Sequence, residues 1–488
     1  MRQTRFEKSK FFLLIFLFCM SLIQVGILWN YQSQGIPTNF LWNFFAKQIS
    51  AYSIDKNEYF LPYRIIVSEG FDEAHWILNK KNEKFYTLWN DMKWYLEKIL
   101  SSSGVVSCKD FNEEEWGSLA VKKAIVYEFR TGYNIEMLKF FLGMKAADTE
   151  VKEIRKILIL PSEDINNNIT IFLEGNNKVY KYVVGINQKG ISRDEYDDII
   201  YGMGQDDKNR SYRVIKEFFP NENKKPFEIR PDIPVIEDGE KYEQISRINC
   251  YNKYDFGNLN LQNNPNLSKL AKGVLGYDFE NYDCGIDEKG AIVFKNLNDR
   301  YKIYKDGTME YKYLYDVNEI GIVDEKKALS NTLEFINYRK NLIEGLDIIL
   351  AGTKKDLGDE NFTFMFDYNI GEIPIIFNDC DVNPKYNLTK NYAIIVVAND
   401  RRVINCKWIL KNFSETDKGK MFNIRFTDLL EDVFEKYRIS NWDDFSIYDI
   451  QIVYDIQNNY SMAIDPTWLV KDKHDKIYIV PMREKEGV

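Results

Sequence analysis

The sequence predicts an α+β protein in which one N-terminal transmembrane helix precedes three extracytoplasmic domains of mainly antiparallel sheet with helices on one face. Three features of the 488 residues lead to this fold class. An uncharged apolar run follows the first ten residues. Amphipathic helical patterns then alternate with β-rich runs and polar turns, and a proline-rich stretch interrupts them near residue 220.

The apolar run "FFLLIFLFCMSLIQVGILW" extends from Phe11 to Trp29. As a helix it would reach roughly 28 Å, about the thickness of one hydrocarbon core. A secretory signal peptide has a shorter apolar region and a small-residue cleavage site. This run instead ends in "LWNY", which is typical of an aromatic interfacial anchor. We therefore expect an uncleaved transmembrane helix over 11–29.

Charge predicts the orientation of this helix. Residues 1–10 carry four basic side chains against Glu7, a net charge of +3, so the positive-inside rule places them in the cytoplasm. Subtracting this +3 from the formal −9 of the whole chain leaves −12 for the remainder. We expect that remainder to be extracytoplasmic and the protein to be a single-pass protein of the cell membrane. A surface of this charge does not suit nucleic acid.

Composition and the position of the prolines suggest the domain organisation. The exported part is too long for one core and suggests two to four domains, and 45% hydrophobic residues are ample for packed interiors. The stretch "PNENKKPFEIRPDIPVIEDG" holds four of the twelve prolines, which predicts a linker or an extended crossing. We expect an N-terminal domain over 36–220, a middle domain over 235–320 and a C-terminal domain over 321–488.

Local patterns predict the elements of the first domain. "YRIIVSEG" and "KAIVYEF" are typical of strands, and "FYTLWNDMKWYLEKIL" places Leu88, Met92, Tyr95 and Ile99 on one helical face. "NITIFLEGNNKVYKYVVG" has two β-rich runs around Asn176-Asn177, which predicts a hairpin.

The later domains repeat a helix-then-strands order. A short helix in "NLSKLAKGVLG" precedes three strands, and a longer one in "KKALSNTLEFINYRKNLI" precedes "FTFMFDYNIGEIPIIF" and "YAIIVVANDRRVINCKWIL". A last amphipathic helix, "FTDLLEDVFEKY", leads into three strands near the C-terminus. Helices followed by antiparallel strands indicate α+β layers.

The sequence offers little for catalysis or metal binding. It has only two histidines: His75, among apolar neighbours, is expected to pack, and His474 in "DKHDK" is expected in a hairpin turn. No G-x-S-x-G or H-E-x-x-H occurs. The five cysteines beyond Cys19 form neither a disulfide framework nor a zinc motif. Cys250 with Cys284, or Cys380 with Cys406, could pair, or each could be an isolated core residue. We expect no enzyme, no cofactor and no metal.

The layout resembles the YycH family, membrane-anchored regulators of the WalK (YycG) sensor histidine kinase in low-GC Gram-positive bacteria. The anchor followed by "LPYRIIVSEG" resembles the opening of that family. "FTFMFDYNIGEIPIIF" and "DPTWLV", with Asp465, Pro466 and Trp468, resemble the closing domain that YycH shares with its sister YycI. The resemblance implies a non-enzymatic regulator whose partners are a WalK/YycG-type kinase and, as a further candidate, a YycI-like protein.

Two polar residues in the anchor suggest where a partner binds. Leu17, Ser21, Gln24 and Leu28 follow i, i+4, i+7 and i+11, so they lie on one stripe of the predicted helix. Because an unpaired amide in hydrocarbon is costly, we expect this stripe to face a transmembrane helix of the kinase. Alternatively, Gln24 is tolerated near the outer interface, where water is close.

Two other functions remain open. An anchored binding or scaffold protein of the cell envelope would hold its ligand on exposed strand edges and would tolerate a foreign anchor. An anchored hydrolase would show a cleft with clustered carboxylates of perturbed pKa.

Overall fold

A computed structural model describes the chain in segments. The described residues are 14, 16–18, 20–21, 56–102, 104–161, 168–185, 191–205, 210–219, 227–236, 241–253, 265–314, 323–355, 360–377, 391–416, 420–439, 445–456, 463–474 and 476–485.

The helices are α1 (Glu83–Leu100), α2 (Glu113–Ala120), α3 (Ile135–Leu142), α4 (Arg193–Gln205), α5 (Ile215–Phe218), α6 (Pro265–Leu275), α7 (Glu325–Arg339) and α8 (Phe426–Tyr437), with short 3₁₀ turns at Lys56–Glu58, Gly276–Asn281 and Lys340–Leu342. Asparagine or aspartate side chains cap α1, α2, α3 and α7 by accepting a hydrogen bond from a backbone N–H of the first turn.

The strands before residue 252 are β1 (Arg64–Ser68), β2 (His75–Leu78), β3 (Val105–Asp110), β4 (Ala124–Asn134), β5 (Glu153–Leu160), β6 (Asn168–Gly175), β7 (Lys178–Gly185), β8 (Ser211–Val214), β9 (Glu228–Ile229), β10 (Pro234–Val235), β11 (Tyr242–Gln244) and β12 (Arg247–Tyr251).

The later strands are β13 (Asp283–Ile286), β14 (Ile292–Lys295), β15 (Asp299–Ile303), β16 (Thr308–Tyr313), β17 (Asp347–Lys355), β18 (Phe362–Ile370), β19 (Ile373–Phe377), β20 (Ile394–Ala398), β21 (Val403–Ile409), β22 (Asn412–Thr416), β23 (Met421–Asn423), β24 (Ser446–Ile447), β25 (Asp449–Ile456), β26 (Pro466–Lys471) and β27 (Ile477–Pro481).

Nine of these strands form an antiparallel N-terminal sheet in the order β10-β8-β2-β1-β4-β5-β6-β7-β3. The β6–β7 hairpin predicted around Asn176-Asn177 is present, and both asparagines have left-handed φ angles of 52° and 59°. Two consecutive left-handed residues match the strand twist, which explains why asparagine serves here.

Helices cover both faces of this N-terminal sheet, whereas the sequence predicts them on one face. Helix α1 packs its apolar side, including Trp89 and Met92, on one face of the sheet. Helix α2 packs Trp116 and Ala120 against Ile66 and other residues of the opposite face. The central strands are apolar on both sides, as the fully buried β1 illustrates, so both faces need a cover.

The C-terminal sheet runs in the order β13-β14-β15-β16-β21-β20-β18-β19-β25-β26-β27, and β17 also pairs with β18. Its pairs are antiparallel except β19 with β25. Strand β18 is buried along all nine residues. The predicted boundary at 320/321 falls within the span of this sheet, because β16 pairs with β21. The division into three domains remains a prediction.

The crossing comprises the described part of the proline-rich stretch, residues 227–236, together with β11 and β12, and it hydrogen-bonds to both halves of the protein. Strand β10 extends the N-terminal sheet by pairing with β8, while β9 pairs with β24. Strands β11 and β12 then pair with β23 and β22. Prolines suit this route because they favour extended backbone and have no backbone N–H that needs an acceptor.

The two halves share one hydrophobic core. A continuous cluster of buried side chains includes Phe60 and Trp89 of the first half together with Phe366 and Trp408 of the second. Tyr59 meets Phe366 edge to face at 6.4 Å between ring centroids. At the rim, the amide of Asn134 donates to Glu325 of α7 over 2.7 Å. The described part of the protein is therefore a mixed α+β body with mostly antiparallel sheets.

The predicted anchor lies mostly outside the described residues. Its described members, at 14, 16–18, 20 and 21, are helical and exposed. Among the residues that the structure describes, no helix has the length and apolar character needed to cross a membrane.

Tyr196 provides a test of how α4 is attached. Its hydroxyl lies 2.7 Å from the carbonyl oxygen of Ala124 and also bonds that of Ser68, which ties α4 to one end of the sheet. We expect Tyr196→Phe to lower the free energy of unfolding by about 1–3 kcal/mol, because buried acceptors lose their donor. Tyr201→Phe on the same helix, at a site 69% exposed, is the control and should change stability little in urea denaturation.

Candidate functional site

The most unusual feature of the interior is a row of charged side chains across four strands. Arg64, Glu128, Lys156 and Glu174 are cross-strand neighbours on β1, β4, β5 and β6. All four are buried. In an antiparallel sheet such neighbours share one face, so the four form a continuous ladder.

Glu128 lies at the centre of the ladder. Its Oε2 accepts from Arg64 Nε and from the Tyr63 hydroxyl at 3.2 Å. Its Oε1 lies 3.2 Å from Arg230 Nη2 and 3.5 Å from Lys156 Nζ. One carboxylate thus contacts three cations, and these contacts offset the cost of burying its charge.

The crossing and the C-terminal half complete the cluster. Asp232 accepts from Lys156 Nζ at 2.7 Å and from Arg230 Nε at 2.5 Å. Asp449, at the start of β25, lies 3.7 Å from Arg64 Nη2. We call these seven residues, Arg64, Glu128, Lys156, Glu174, Arg230, Asp232 and Asp449, the charged junction, because they join the N-terminal sheet, the crossing and the C-terminal sheet.

The cations of the junction stabilise the ionised forms of Glu128 and Asp232. Burial opposes ionisation of Glu128, but Arg64, Lys156 and Arg230 lower its pKa to about 2. Burial likewise acts against Asp232, yet Arg230 and Lys156 hold its pKa well below the usual range. Both effects follow from opposite charges at close range in a dry interior.

Glu174 behaves differently from the other carboxylates. Burial raises its pKa, and Lys156 and Arg155 offset this only in part. One of its oxygens, Oε2, has no hydrogen-bond partner. Ionisation of Glu174 therefore costs stability, in contrast to that of Glu128 and Asp232.

A second buried pair lies on β2 and α5. His75 Nε2 is 2.9 Å from Glu217 Oε1, and both side chains are fully buried. Burial acts to raise the pKa of Glu217, but His75 and hydrogen bonds from Val214 and Arg213 lower it. His75 packs in the interior as predicted, but with an acidic partner that sequence reasoning missed.

Ser68, His75 and Glu217 have the residue types of a serine-hydrolase triad. Ser68 and His75 are direct cross-strand neighbours, and Glu217 contacts Nε2 of the imidazole. However, all three are buried, and Ser68 Oγ makes no hydrogen bond to the imidazole. A nucleophile needs both that contact and access to substrate, so this arrangement supports a structural role.

The other residues considered for chemistry occupy structural positions. His474 lies in the β26–β27 turn, where its backbone N–H donates to Asp472, so the predicted hairpin turn is present. Cys250, Cys284 and Cys406 are free thiols, and Cys380 lies outside the described residues. Within the described segments, no group of three or more His, Cys, Asp or Glu side chains could hold a metal ion.

The predicted partner-binding stripe is only half described. Leu17 and Ser21 are helical and exposed, as a helix stripe free of the folded body would be. Gln24 and Leu28 lie outside the described residues. The alignment of all four residues on one helix face remains a prediction.

The motif "DPTWLV" builds the end of the C-terminal sheet. Arg247 of β12 donates to both oxygens of Asp465, one of them at 3.2 Å, and also reaches Glu484 at 3.1 Å. Pro466 begins β26, a position where a strand tolerates proline, and Trp468 is buried beneath α8. The contact of Arg247 with Asp465 therefore joins β12 to the start of β26.

Comparisons with known proteins give the fold a class. The chain is similar to the crystal structure of YycH from Bacillus subtilis, with a TM-score of 0.51, 12% sequence identity, and coverage of 88% of this chain and 96% of that chain. The protein thus has a YycH-like fold. An uncharacterized protein from Eubacterium rectale has a TM-score of 0.26, too low to indicate a shared fold. No family model and no curated protein sequence matches the chain.

Replacing Glu128 tests the charged junction. We expect Glu128→Gln to lower the free energy of unfolding by about 3–5 kcal/mol at pH 7, because three buried cations lose their shared anion. Glu128 has a lowered folded pKa, so its contribution is complete above its unfolded pKa and is lost as pH falls toward 2. The difference from wild type should therefore shrink in acid, as urea denaturation at several pH values would measure. Glu136→Gln, at a partly exposed ion pair of α3, is the matched control.

Glu174→Gln should have the opposite sign. Its folded pKa is raised, so the ionisable side chain is harmless below its unfolded pKa and costs stability as pH rises through the folded value. We expect the variant to be more stable than wild type near pH 8 and equal to it near pH 4. A variant that is less stable at pH 8 would show that an ionised Glu174 supports the junction.

Proposed function

We propose that this protein is a non-enzymatic, membrane-anchored regulator of a two-component sensor histidine kinase, of the WalK/YycG type. It acts through its transmembrane helix and its extracytoplasmic domains. The observation that carries the proposal is the YycH-like fold, which extends over 88% of the chain. The resemblance of the anchor and of "DPTWLV" to the YycH family supports the same assignment.

The interior of the folded body is consistent with a regulator. Its strongest charges neutralise one another within the charged junction, and its one Ser-His-Glu grouping is buried. The salt bridges of the junction join the N-terminal sheet to the crossing and to Asp449 of the C-terminal sheet. The body is thus suited to move as one unit when a partner displaces it.

The proposed mechanism couples this rigid body to the membrane. One stripe of the 11–29 anchor faces a transmembrane helix of the kinase. This stripe consists of Leu17, Ser21, Gln24 and Leu28. A small shift of that contact biases the kinase between two states. The extracytoplasmic body contacts the outer domain of the kinase, and a YycI-like protein, related through the C-terminal part, is a possible further partner.

An anchored binding or scaffold protein is the second candidate, and the sheet edges favour it. Strand β3 ends the N-terminal sheet with four exposed residues, and β13 ends the C-terminal sheet. In contrast, the edge of β27 is protected: the Tyr437 hydroxyl accepts from the N–H of Ile479 at 2.8 Å and Lys436 caps its carbonyl. Edges left unprotected can accept an added strand.

An exchange of the anchor distinguishes the two candidates. We expect replacement of residues 11–29 by an unrelated single-span helix of equal length and orientation to abolish both co-purification with the kinase and its phosphorylation output. Export and folding serve as controls. Unchanged association and output would reduce the helix to a tether and favour the binding protein.

A single substitution tests the stripe itself. Gln24→Leu should weaken association with the kinase by about five- to thirtyfold, because one interhelical hydrogen bond is worth roughly 1–2 kcal/mol. Ile15→Ala, on the opposite face of the same predicted helix, is the control. If Gln24→Leu leaves association and output unchanged, the stripe is not the docking face.

A further inference from the structure

The C-terminal sheet presents three basic side chains next to one another near its β13 edge. In the register of β14, β15 and β16, Lys295 is directly opposite Arg300, and Arg300 is directly opposite Lys312. Directly opposite residues of an antiparallel pair share one face, and neighbouring strands are about 4.8 Å apart, so the three cations lie within roughly 10 Å. We call Lys295, Arg300 and Lys312 the basic row.

The basic row faces away from the core. Phe294, Tyr301 and Tyr311 alternate with it along the three strands, and all three are buried. Helix α7 covers this packed face, where Phe335 lies 5.1 Å from Tyr311 between ring centroids. Successive residues of a strand point to opposite faces, so the basic row points away from α7. Two of its members are accordingly exposed, and the third, on β15, is partly exposed.

The charge of the basic row is not neutralised by its neighbours. Within the described part of the chain, none of its side chains takes part in an ion pair or a hydrogen bond. Asp283 of the edge strand β13 is opposite Lys295 without pairing to it. Asp299 of β15 lies on the packed face, where it accepts from the Tyr311 hydroxyl at 2.7 Å. In the other direction the register continues across β21, β20 and β18 to another base, Lys354 on β17.

The next row of the same face has the opposite arrangement. Lys302, Glu310 and Lys407 are directly opposite one another, so their signs alternate. Lys302 also pairs with Asp287 at 2.9 Å. Opposite charges across strands stabilise a sheet, whereas like charges directly opposite destabilise it. The basic row therefore costs stability in the free protein, and it does so in a chain with 74 acidic against 65 basic residues.

An anion bound along the basic row would offset this cost, and the surrounding charges define its shape. Asp283 ends the row, and Glu310 lies two residues along the strand from Lys312, about 7 Å away. A broad anionic surface would meet these carboxylates as well, whereas a narrow segment that follows the row would not. Carboxylates at i and i+4 of a helix are about 5–6 Å apart, close to the spacing of the strands.

We propose that the basic row is a docking surface for an acidic segment of a partner protein, with carboxylates spaced as at i and i+4 of a helix. Arg300, at the centre, can hold one carboxylate with two parallel hydrogen bonds, and the two lysines attract its neighbours. Leu297, 65% exposed in the β14–β15 turn, offers an apolar contact at the edge. The inference goes beyond the proposed function and does not rest on it, since the surface is tested without the kinase.

A peptide titration tests the docking surface. The probe is a helical peptide with glutamate at every fourth position and alanine elsewhere, added to the full-length protein in detergent. It should bind more tightly than the same peptide with glutamine, and binding should weaken as salt is raised toward 1 M, where the Debye length is about 3 Å. Arg300→Glu should weaken binding by about tenfold or more.

Lys178→Glu is the matched control for that titration. Lys178 is an exposed lysine at the start of β7 in the other sheet, so its reversal changes the net charge equally and should leave binding nearly unchanged. Equal binding by wild type and Arg300→Glu overturns the proposal. Equal loss in Lys178→Glu and Arg300→Glu also overturns it, because binding would then follow net charge alone.

A stability measurement separates docking from a structural role. Because Arg300 has a like charge on each side, Arg300→Gln should raise the midpoint of urea denaturation at low salt while it weakens peptide binding. The gain should vanish in 1 M salt, which screens exposed charges. A loss of stability that persists in 1 M salt would identify Arg300 as a structural residue and overturn the proposal.

Tripolyphosphate, a compact anion, tests whether the row is a general anion site. In the same titration it should bind more weakly than the glutamate peptide, because its charges are too closely spaced to reach all three cations. Tighter binding by tripolyphosphate that is lost in Arg300→Glu would assign the row to phosphate groups instead and overturn the proposal for a protein segment.

Discussion

The structure depends on one constraint: a row of charges buried in the N-terminal sheet can exist only while the crossing and the C-terminal half cover it. Glu128 needs Arg64, Lys156 and Arg230 around it, and these come from two strands of one sheet and from the crossing. A buried charge without its partners costs several kcal/mol. The junction therefore penalises any arrangement in which the two halves separate, and it does so more selectively than an apolar contact, which tolerates sliding.

The same constraint explains why the two halves form one body. Shared apolar packing, seen where Tyr59 meets Phe366, contributes affinity between the halves, and the charged junction fixes how they are aligned. A body held in this way resists displacement of one half against the other.

Sequence patterns predicted the strongly periodic elements and failed where long-range contacts decide. Helix α8 has the predicted bounds, and α1 and the β6–β7 hairpin lie where periodicity and Asn176-Asn177 indicated. The short helices α2 and α3 were not predicted, because their apolar faces span few turns. The charged junction left a trace in the sequence, since Arg64, Glu128 and Lys156 interrupt apolar strand runs. These three residues become neighbours only through the strand register of the folded sheet, and the sequence does not encode that register locally.

The route of the crossing also has a consequence for biogenesis. Strands β9, β11 and β12 find their partners in β24, β23 and β22, about 160 to 220 residues further along the chain. Contacts this distant in sequence close large loops and form late. Because a chain is synthesised from its N-terminus, the crossing would stay exposed until its last partner strands had been made, and that interval would be the period of greatest risk from proteases and aggregation.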